Sequence, residues 1–407
     1  MRLQSYLGHP QGGAVAVTTA LMLVVLVGFL GIAIDLGRFY VAKSEMFNAA
    51  DACALAAAQE LDGNPGAIIR AESAGIAAGT RNLANLQSTG VPVAASDISF
   101  STSLSPNSSY KTKAGGATDD SRYAMCTLKF PAFPTTLTQI LGFGPSVDVG
   151  AQAVATLYPG QTACAIPLGL CAQNSSPPTY GFIPGQWFDG KFDAGGGLTG
   201  SFNWIDYTTA AGGAAELAGL LAGSGTCTTS IGSPVGQTGV LGNAAAKAWN
   251  SRFGLYQPGV GNPQVNTAAP DYTGFTYTAT SWLAQSGALG DFLNVQRPSH
   301  TPYQGNAATG LSLTGAYSSA TPAEFASFGA STRRLSVAPI VDCSAWASSQ
   351  TVPIISYACV LLLHPITSPG DVVSMEYVGA ANDPLSPCAT SGLGGGSFGP
   401  LVPVLVQ

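Results

Sequence analysis

The hydrophobic pattern opens with an uncharged run, Ala14 to Ile34 (AVAVTTALMLVVLVGFLGIAI), and passes without a break into helically spaced positions from Asp35 to Leu61. At ~1.5 Å per helical residue the run crosses the ~30 Å hydrocarbon layer of a bilayer, so it predicts one membrane-spanning helix. A cleaved secretory signal is the rival reading, but its apolar core usually spans ~7 to 15 residues before a small-x-small site. Here the run is longer, and Ile32-Ala33-Ile34-Asp35 makes a poor cleavage site. Beyond it, Leu36, Phe39, Tyr40, Phe47, Ala50, Ala54, Ala57 and Leu61 are expected on one core-facing side. Asp35, Arg38, Glu45, Asn48 and Gln59 fall on the other, while Lys43 intrudes on the apolar side. The Ala-rich stretch from Ala49 to Ala58 favours helix and permits close approach of a neighbour, and Asp62-Gly63-Asn64-Pro65 stops it. The expectation is one rod roughly 70 Å long, its first half in lipid and its second half packed on a soluble head.

Ala67 to Gln87 reads as a second Ala-rich helix with Ile69, Ile76, Leu83 and Leu86 inward, closed by Thr89-Gly90. The period then shifts toward two. Val91 to Leu104, Arg122 to Phe130 and Val147 to Leu157 read as strands, with a short helix near Thr135 to Leu141. Tyr158-Pro159-Gly160 is a punctuation mark, followed by Gly-rich loops and scattered aromatics, and a domain boundary is placed there. Further strands are expected at Gly181 to Phe188, Ser201 to Tyr207, Leu335 to Asp342, Val352 to Leu363 and Val372 to Val378. Helices are expected at Ala214 to Ala222, Gly239 to Ser251 and Pro322 to Phe328. Val352 to Leu363 is apolar enough to raise a second membrane span, but it is short and stops at His364-Pro365, so a buried central strand is expected. The fold class is α+β, in four segments: a cytoplasmic leader 1–13, a transmembrane helix 14–34, an α+β module 35–158 and a β-rich, Gly-rich exported domain 159–407.

Composition narrows the function. Charged residues make up 9% against a usual ~25%, while Gly (51) and Pro (27) are abundant. A net charge of −6 leaves no broad basic face, so nucleic acid is not an expected partner. The eight cysteines, Cys53, Cys126, Cys164, Cys171, Cys227, Cys343, Cys359 and Cys388, avoid the C-x-x-C spacing of zinc or redox sites and read as disulfides of an exported protein. Cys53 lies on the soluble half of the long helix and Cys126 in a strand which that half should cover. They are the only two before Tyr158, so they are expected to pair, worth ~4 kcal/mol for a loop of this length. The positive-inside rule does not decide the orientation, with Arg2 before the run and Arg38 and Lys43 after it. The short leader beside a long, charge-poor, cysteine-bearing remainder argues for N-terminus in and bulk outside the cytoplasm.

GGAVAV at Gly12 to Val17, the apolar run, AIDLGR at Ala33 to Arg38 and VAKSEMFNAADA at Val41 to Ala52 resemble the N-terminus of TadG-like proteins of the Flp (Tad, tight adherence) pilus assembly system. FPAFPTTLTQILGF at Phe130 to Phe143, AQAVA at Ala151 to Ala155, RRLSVAPIVDC at Arg333 to Cys343 and the stretch from Tyr357 onward are also similar to that family. The resemblance implies a pilin-like module, a long helix on a small antiparallel sheet, which the pattern reaches independently. It implies a structural, minor pilin-like component of the bacterial inner membrane that supports pilus biogenesis and adherence. Its implied partners are other Tad minor pilins, the Flp pilin and the inner-membrane assembly platform. The alternative is a membrane-anchored surface adhesin or carbohydrate-binding module. In pilins a glutamate five residues after the cleaved glycine pairs with a neighbour's free amine inside the apolar assembly. Here Thr18 or Val17 would stand at that place, so retention of the leader is expected.

No catalytic residue, metal ligand, cofactor or small-molecule substrate is expected, and the chain is not read as an enzyme. Gly395-Gly396-Ser397-Phe398-Gly399 fits G-x-S-x-G, but it sits in a glycine run with no histidine after it. Gly185 to Lys191 has phosphate-loop spacing, yet Phe192 replaces the Ser or Thr that would hold magnesium. Asp97-Ile98-Ser99-Phe100-Ser101 fits the D-x-S-x-S of a von Willebrand factor A metal site, a domain that some TadG-like proteins carry. That site needs an apolar parallel strand ending at the aspartate, and Val93-Ala94-Ala95-Ser96 is not one, so an ordinary edge strand is expected. His9, His300 and His364 are scattered. The aromatic set Trp187, Phe188, Trp204, Tyr207, Trp249, Phe253 and Tyr256 could stack sugars, with core packing the favoured account.

Overall fold

The computed structural model describes residues 12–135, 139, 142, 144–191, 202–207, 213–237, 243–313, 315–328, 332–347, 351–368 and 372–407. They form two compact units, residues 1–157 with 403–407, and residues 158–402.

In the first unit, helix α1 runs unbroken for 48 residues, Gly12–Gln59, through a sequence free of proline. It stops where the Asp62 carboxylate accepts the Asn64 N–H at 3.0 Å in a tight turn. Helix α2, Ala67–Gly79, starts on a cap lent from afar, because the Asp119 carboxylate accepts the N–H groups of Gly66 and Ile68 at 2.8 and 3.0 Å. It is shorter than expected. Asn85, Leu86 and Gln87 adopt positive φ near +56°, which ends helical geometry, and β1 (Leu83–Ala84) pairs with β2 (Thr89–Gly90) in a small hairpin. The Glu45 carboxylate holds this hairpin by accepting the Leu86 and Gln87 N–H groups at 3.2 and 3.0 Å. Ile69, Leu83 and Leu86 are consequently exposed, while Ile68 and Ala71 face the core.

The strand expected over Val91 to Leu104 contracts to β3, Ile98–Ser101, which pairs antiparallel with β4, Tyr123–Pro134. β4 pairs antiparallel with β5, Ser146–Thr162, which continues through Tyr158-Pro159-Gly160 rather than breaking there. The chain end returns to this unit, with the Val154 N–H donating to the Gln407 carbonyl at 2.8 Å. Of the short helix expected near Thr135 to Leu141, positions 136–138, 140 and 141 lie outside the described residues. The core sets the alanine face of α1 (Ala49, Ala50, Ala54, Ala57) against Ile98, Phe100, Ala124, Leu128 and Ala153 of the sheet. Glycines let α2 come close to α1 and to Val93. A Cβ on Gly79 would stand 2.8 Å from Val93 Cγ2 and 3.3 Å from Cys53 Cβ.

The second unit is built on a seven-stranded sheet. Its strands are β6 (Leu168–Cys171), β7 (Trp187–Lys191), β8 (Phe202–Asp206), β9 (Pro234–Gln237), β12 (Leu335–Val341), β13 (Thr351–Leu362) and β14 (Val372–Ala380). The order is β12-β6-β8-β9-β13-β14-β7, and β12 also pairs with β13, so five strands close on themselves while β14 and β7 extend the sheet. β13 is the buried central strand expected from its apolar run, with Leu361 opposite Leu335 and Ala358 opposite Ala338. Helices α3 (Gly213–Ala222) and α4 (Asn243–Ser251) accompany the sheet. The short pairs β10 (Leu255–Tyr256) with β11 (Ser318–Ser319), and β15 (Ala389–Gly394) with Gly160 and Thr162, carry no strong alternation and were not anticipated. The strand expected at Gly181 to Phe188 begins only at Trp187.

Candidate assembly surface

Between Val15 and Ile34 the large side chains of α1 are exposed all round, Leu21, Met22, Leu26, Phe29 and Leu30 among them. Among the described residues α1 alone is long and apolar enough to cross a membrane. The hydroxyl of Thr18 donates to the Val15 carbonyl at 3.0 Å, which satisfies it within its own helix.

Beyond Ile34 the apolar residues divide between two faces instead of sharing one. Ala42, Met46, Ala49, Ala50 and Cys53 are buried against the unit's own core. Leu36, Tyr40, Val41 and Phe47, expected inward or unplaced, are 47, 65, 42 and 43% exposed. Asp35, expected in solvent, is buried. The physical reason is a wide apolar arc and narrow cover: α2 lies along α1 where Gly75 and Gly79 approach Cys53 and Ala57, and does not reach Tyr40. Met22, Leu26, Phe29, Ala33, Leu36, Tyr40 and Phe47 follow alternating four- and three-residue steps, with Lys43 filling the gap before Phe47. This is the spacing of a helix–helix seam. Lys43 donates to the Gly150 carbonyl and lies 4.8 Å from the Phe47 ring centroid, so its stem covers apolar surface while its charge is held at the sheet.

All eight cysteines pair. Cys53 joins Cys126 with Cα atoms 6.1 Å apart, the pair singled out from the sequence, and locks the inward face of α1 to β4. Cys164–Cys227, Cys171–Cys343 and Cys359–Cys388 staple the second unit. Three pairs are largely shielded, whereas Cys227 is exposed.

The second unit hides an arginine centre that the sequence did not disclose. Arg252 and Arg334 are fully buried and Arg333 nearly so. Arg252 and Arg333 donate to the Leu221 carbonyl at 2.9 and 3.2 Å, and Arg333 to the Ala222 carbonyl at 2.6 Å, satisfying the last carbonyls of α3 with positive charge. Arg334 donates to the carbonyls of Leu362, Leu363 and Phe275 and lies 4.3 Å from the Phe253 ring centroid. Asp271 answers from one side, accepting Arg297 Nε at 3.0 Å and the Arg333 and Arg334 N–H groups at 2.8 and 2.9 Å. Burial pulls the Arg334 guanidinium down to about 10, and pulls Arg252 well below its ordinary value. Glu376 is buried too; its carboxylate accepts Trp187 Nε1 at 2.9 Å and the Ala288 and Leu289 N–H groups at 2.6 and 3.1 Å, while burial pushes its pKa up.

These contacts also place the motif residues. Phe188, Trp204, Trp249, Phe253 and Tyr256 are buried, Tyr207 donates to the Ile166 carbonyl, and Trp187 is committed to Glu376, so the aromatic set is core rather than a sugar-stacking face. His364 lies between the Pro365 carbonyl and the Ser374 N–H, and Ser374 Oγ donates to Asp189 at 2.5 Å. His300 Nδ1 meets the Tyr272 carbonyl at 3.2 Å, while His9 lies outside the described residues. Ser397 Oγ donates to the Cys227 carbonyl at 3.0 Å. Asp97 accepts the Ala94 N–H within its own turn, and Ser101 Oγ bonds Ser109 Oγ at 2.7 Å. Of the phosphate-loop spacing, Phe192 lies outside the described residues, and Trp187 to Lys191 form β7.

Residues 13–60 match the Tad family model, described as Flp pilus-assembly TadE/G-like. The matched segment covers the whole of α1 but its first residue, with both of its faces, and it ties the chain to Flp/Tad pilus assembly in keeping with the TadG-like resemblance. No curated protein and no solved structure matches the chain.

Proposed function

We propose that this protein is a single-pass, membrane-anchored, minor pilin-like component of Flp/Tad pilus assembly, with its N-terminus in the cytoplasm and its bulk outside the inner membrane. One observation carries the reading: α1 is locked to its own sheet on one face by Cys53–Cys126, while the seam from Met22 to Phe47 is left exposed in and beyond the apolar run. A helix that leaves lipid still carrying Leu36, Tyr40 and Phe47 outward suits a second helix from another subunit, and covering the half of each side chain still exposed contributes about 1 kcal/mol. Other Tad minor pilins, the Flp pilin and the assembly platform are the partners the family suggests. We read the role as structural: Ser397 donates to the Cys227 carbonyl, and His300 and His364 each lie against a backbone carbonyl. The adhesin alternative loses its main support with the aromatics in the core.

A photocrosslinking residue at position 40 in piliated cells should capture another pilus subunit, and Leu36→Asp with Phe47→Asp should abolish both the adduct and the pili while leaving Cys53–Cys126 formed. Normal piliation in that double variant would sink the reading. Ser397→Ala and His300→Ala should leave piliation unchanged, and a loss in either would reopen a catalytic role.

A further inference from the structure

We infer that residues Pro131 to Pro134 of β4 and their partners Ser146 and Val147 of β5 form a second membrane contact, resting on the lipid interface beside the anchoring helix. The inference rests on the reading of α1 as a membrane span. Three ties set β4 antiparallel alongside α1: Cys53 to Cys126, Lys43 to the carbonyl of Gly150, which pairs with Lys129, and Arg38 over the Phe133 ring at 5.7 Å. From Cys53 down to Arg38 the helix descends about 22 Å at ~1.5 Å per residue, and from Cys126 to Phe133 the strand, bulged between Phe130 and Phe133, covers about 20 Å, the span of its partners Ala153 to Val147 at ~3.3 Å per residue. The two therefore descend in step. Pro134, the last residue of β4, comes level with Leu36, within about one helical turn (~5.4 Å) of the end of the uncharged run at Ile34.

What the hairpin presents at that level suits lipid. Pro131, Ala132, Pro134 and Val147 are exposed, with Val147 opposite Phe133 and Pro134 opposite Ser146. The sequence from Phe130 to Val147 contains no charged residue. Lys129 and Asp148 flank it, and the Asp148 carboxylate accepts the Ala132 N–H at 3.0 Å. A charge tied to that backbone keeps the contact at headgroup depth, the geometry of an interfacial anchor and not of a span. With α1 it would give the unit two points on the membrane and so restrict its rotation about the helix axis.

The full chain is reconstituted in phosphatidylethanolamine–phosphatidylglycerol vesicles doped with a phospholipid bearing a diazirine near the glycerol end of its acyl chain, and adducts are mapped by mass spectrometry. Adducts are expected on the peptide of residues 15–34 and on residues 130–134 and 146–147, with none on residues 98–118. Pro134→Asp with Val147→Asp should lose the hairpin adducts and keep those on 15–34; if that variant misfolds, shown by a free Cys53 thiol, the wild-type map decides. Adducts on 15–34 without any on the hairpin, or equal labelling of 98–118, would overturn the inference and leave the anchor intact. Absence of adducts on 15–34 would instead remove the anchor reading itself.

Discussion

The two units close their cores by opposite means. The first uses alanine and glycine, which bring helices and sheet into near-backbone contact, and fastens the result with one buried disulfide. The second fills its interior with Trp249, Phe253, Tyr277, Phe292 and Tyr377 and places arginines among them. A small-residue core gains little transfer energy per side chain and depends on close fit and a covalent tie. A core of large side chains leaves backbone carbonyls around it to be satisfied, and Arg252 and Arg334 do that from within. Scarce charge therefore does not mean a charge-free interior: with 9% charged residues, the second unit still places several of its few at its centre.

The sharpest break of this comparison is Arg334→Ala, which takes the side-chain donor from the Leu362 and Phe275 carbonyls, leaves the Leu363 carbonyl with the Tyr277 N–H alone, and opens a cavity; a loss of about 5 kcal/mol is expected. All five tryptophans lie in the second unit. Tryptophan fluorescence during thermal unfolding of the detergent-solubilised chain should therefore shift down, while the helical signal at 222 nm holds. Coincident shifts in both signals would show that the two units unfold as one. The converse variant, Cys53→Ala with Cys126→Ala, should cost the first unit ~4 kcal/mol through the loop it frees, lowering the 222 nm transition and sparing the fluorescence.

Glu376→Gln gives the smallest effect, about 1–3 kcal/mol, and a diagnostic pH dependence. Burial raises the folded-state pKa of Glu376 above its unfolded value, so the fold binds that proton more tightly. Its stabilisation is full below the ordinary carboxylate range and is lost as pH rises through the raised value. The variant should flatten that part of the fluorescence-detected stability profile, and an unchanged slope would mean that Glu376 does not titrate differently in the fold.

Legibility followed the length and periodicity of each signal. The long apolar helix, its Ala-rich continuation and the strand Thr351–Leu362 are readable because long apolar patterns admit few structures. The sequence pattern extends the second helix past its end at Gly79, because it does not show that the backbone turns at positive φ from Asn85 to Gln87. Leu36, Tyr40 and Phe47 were placed inward because a helical wheel shows an apolar arc and not what covers it.

By itself the sequence determined one uncharged helix of membrane length, an α+β chain, a TadE/G-like N-terminal segment and cysteines suited to disulfides. These follow from local composition and spacing, which act through the nearest few residues. Only the tertiary structure decided which face of α1 remains open, how far down β4 reaches beside it, and that Arg252, Arg334 and Glu376 lie buried. Each of these depends on groups tens to hundreds of residues away supplying cover, a carbonyl or an N–H, and no local pattern encodes the arrival of a distant partner.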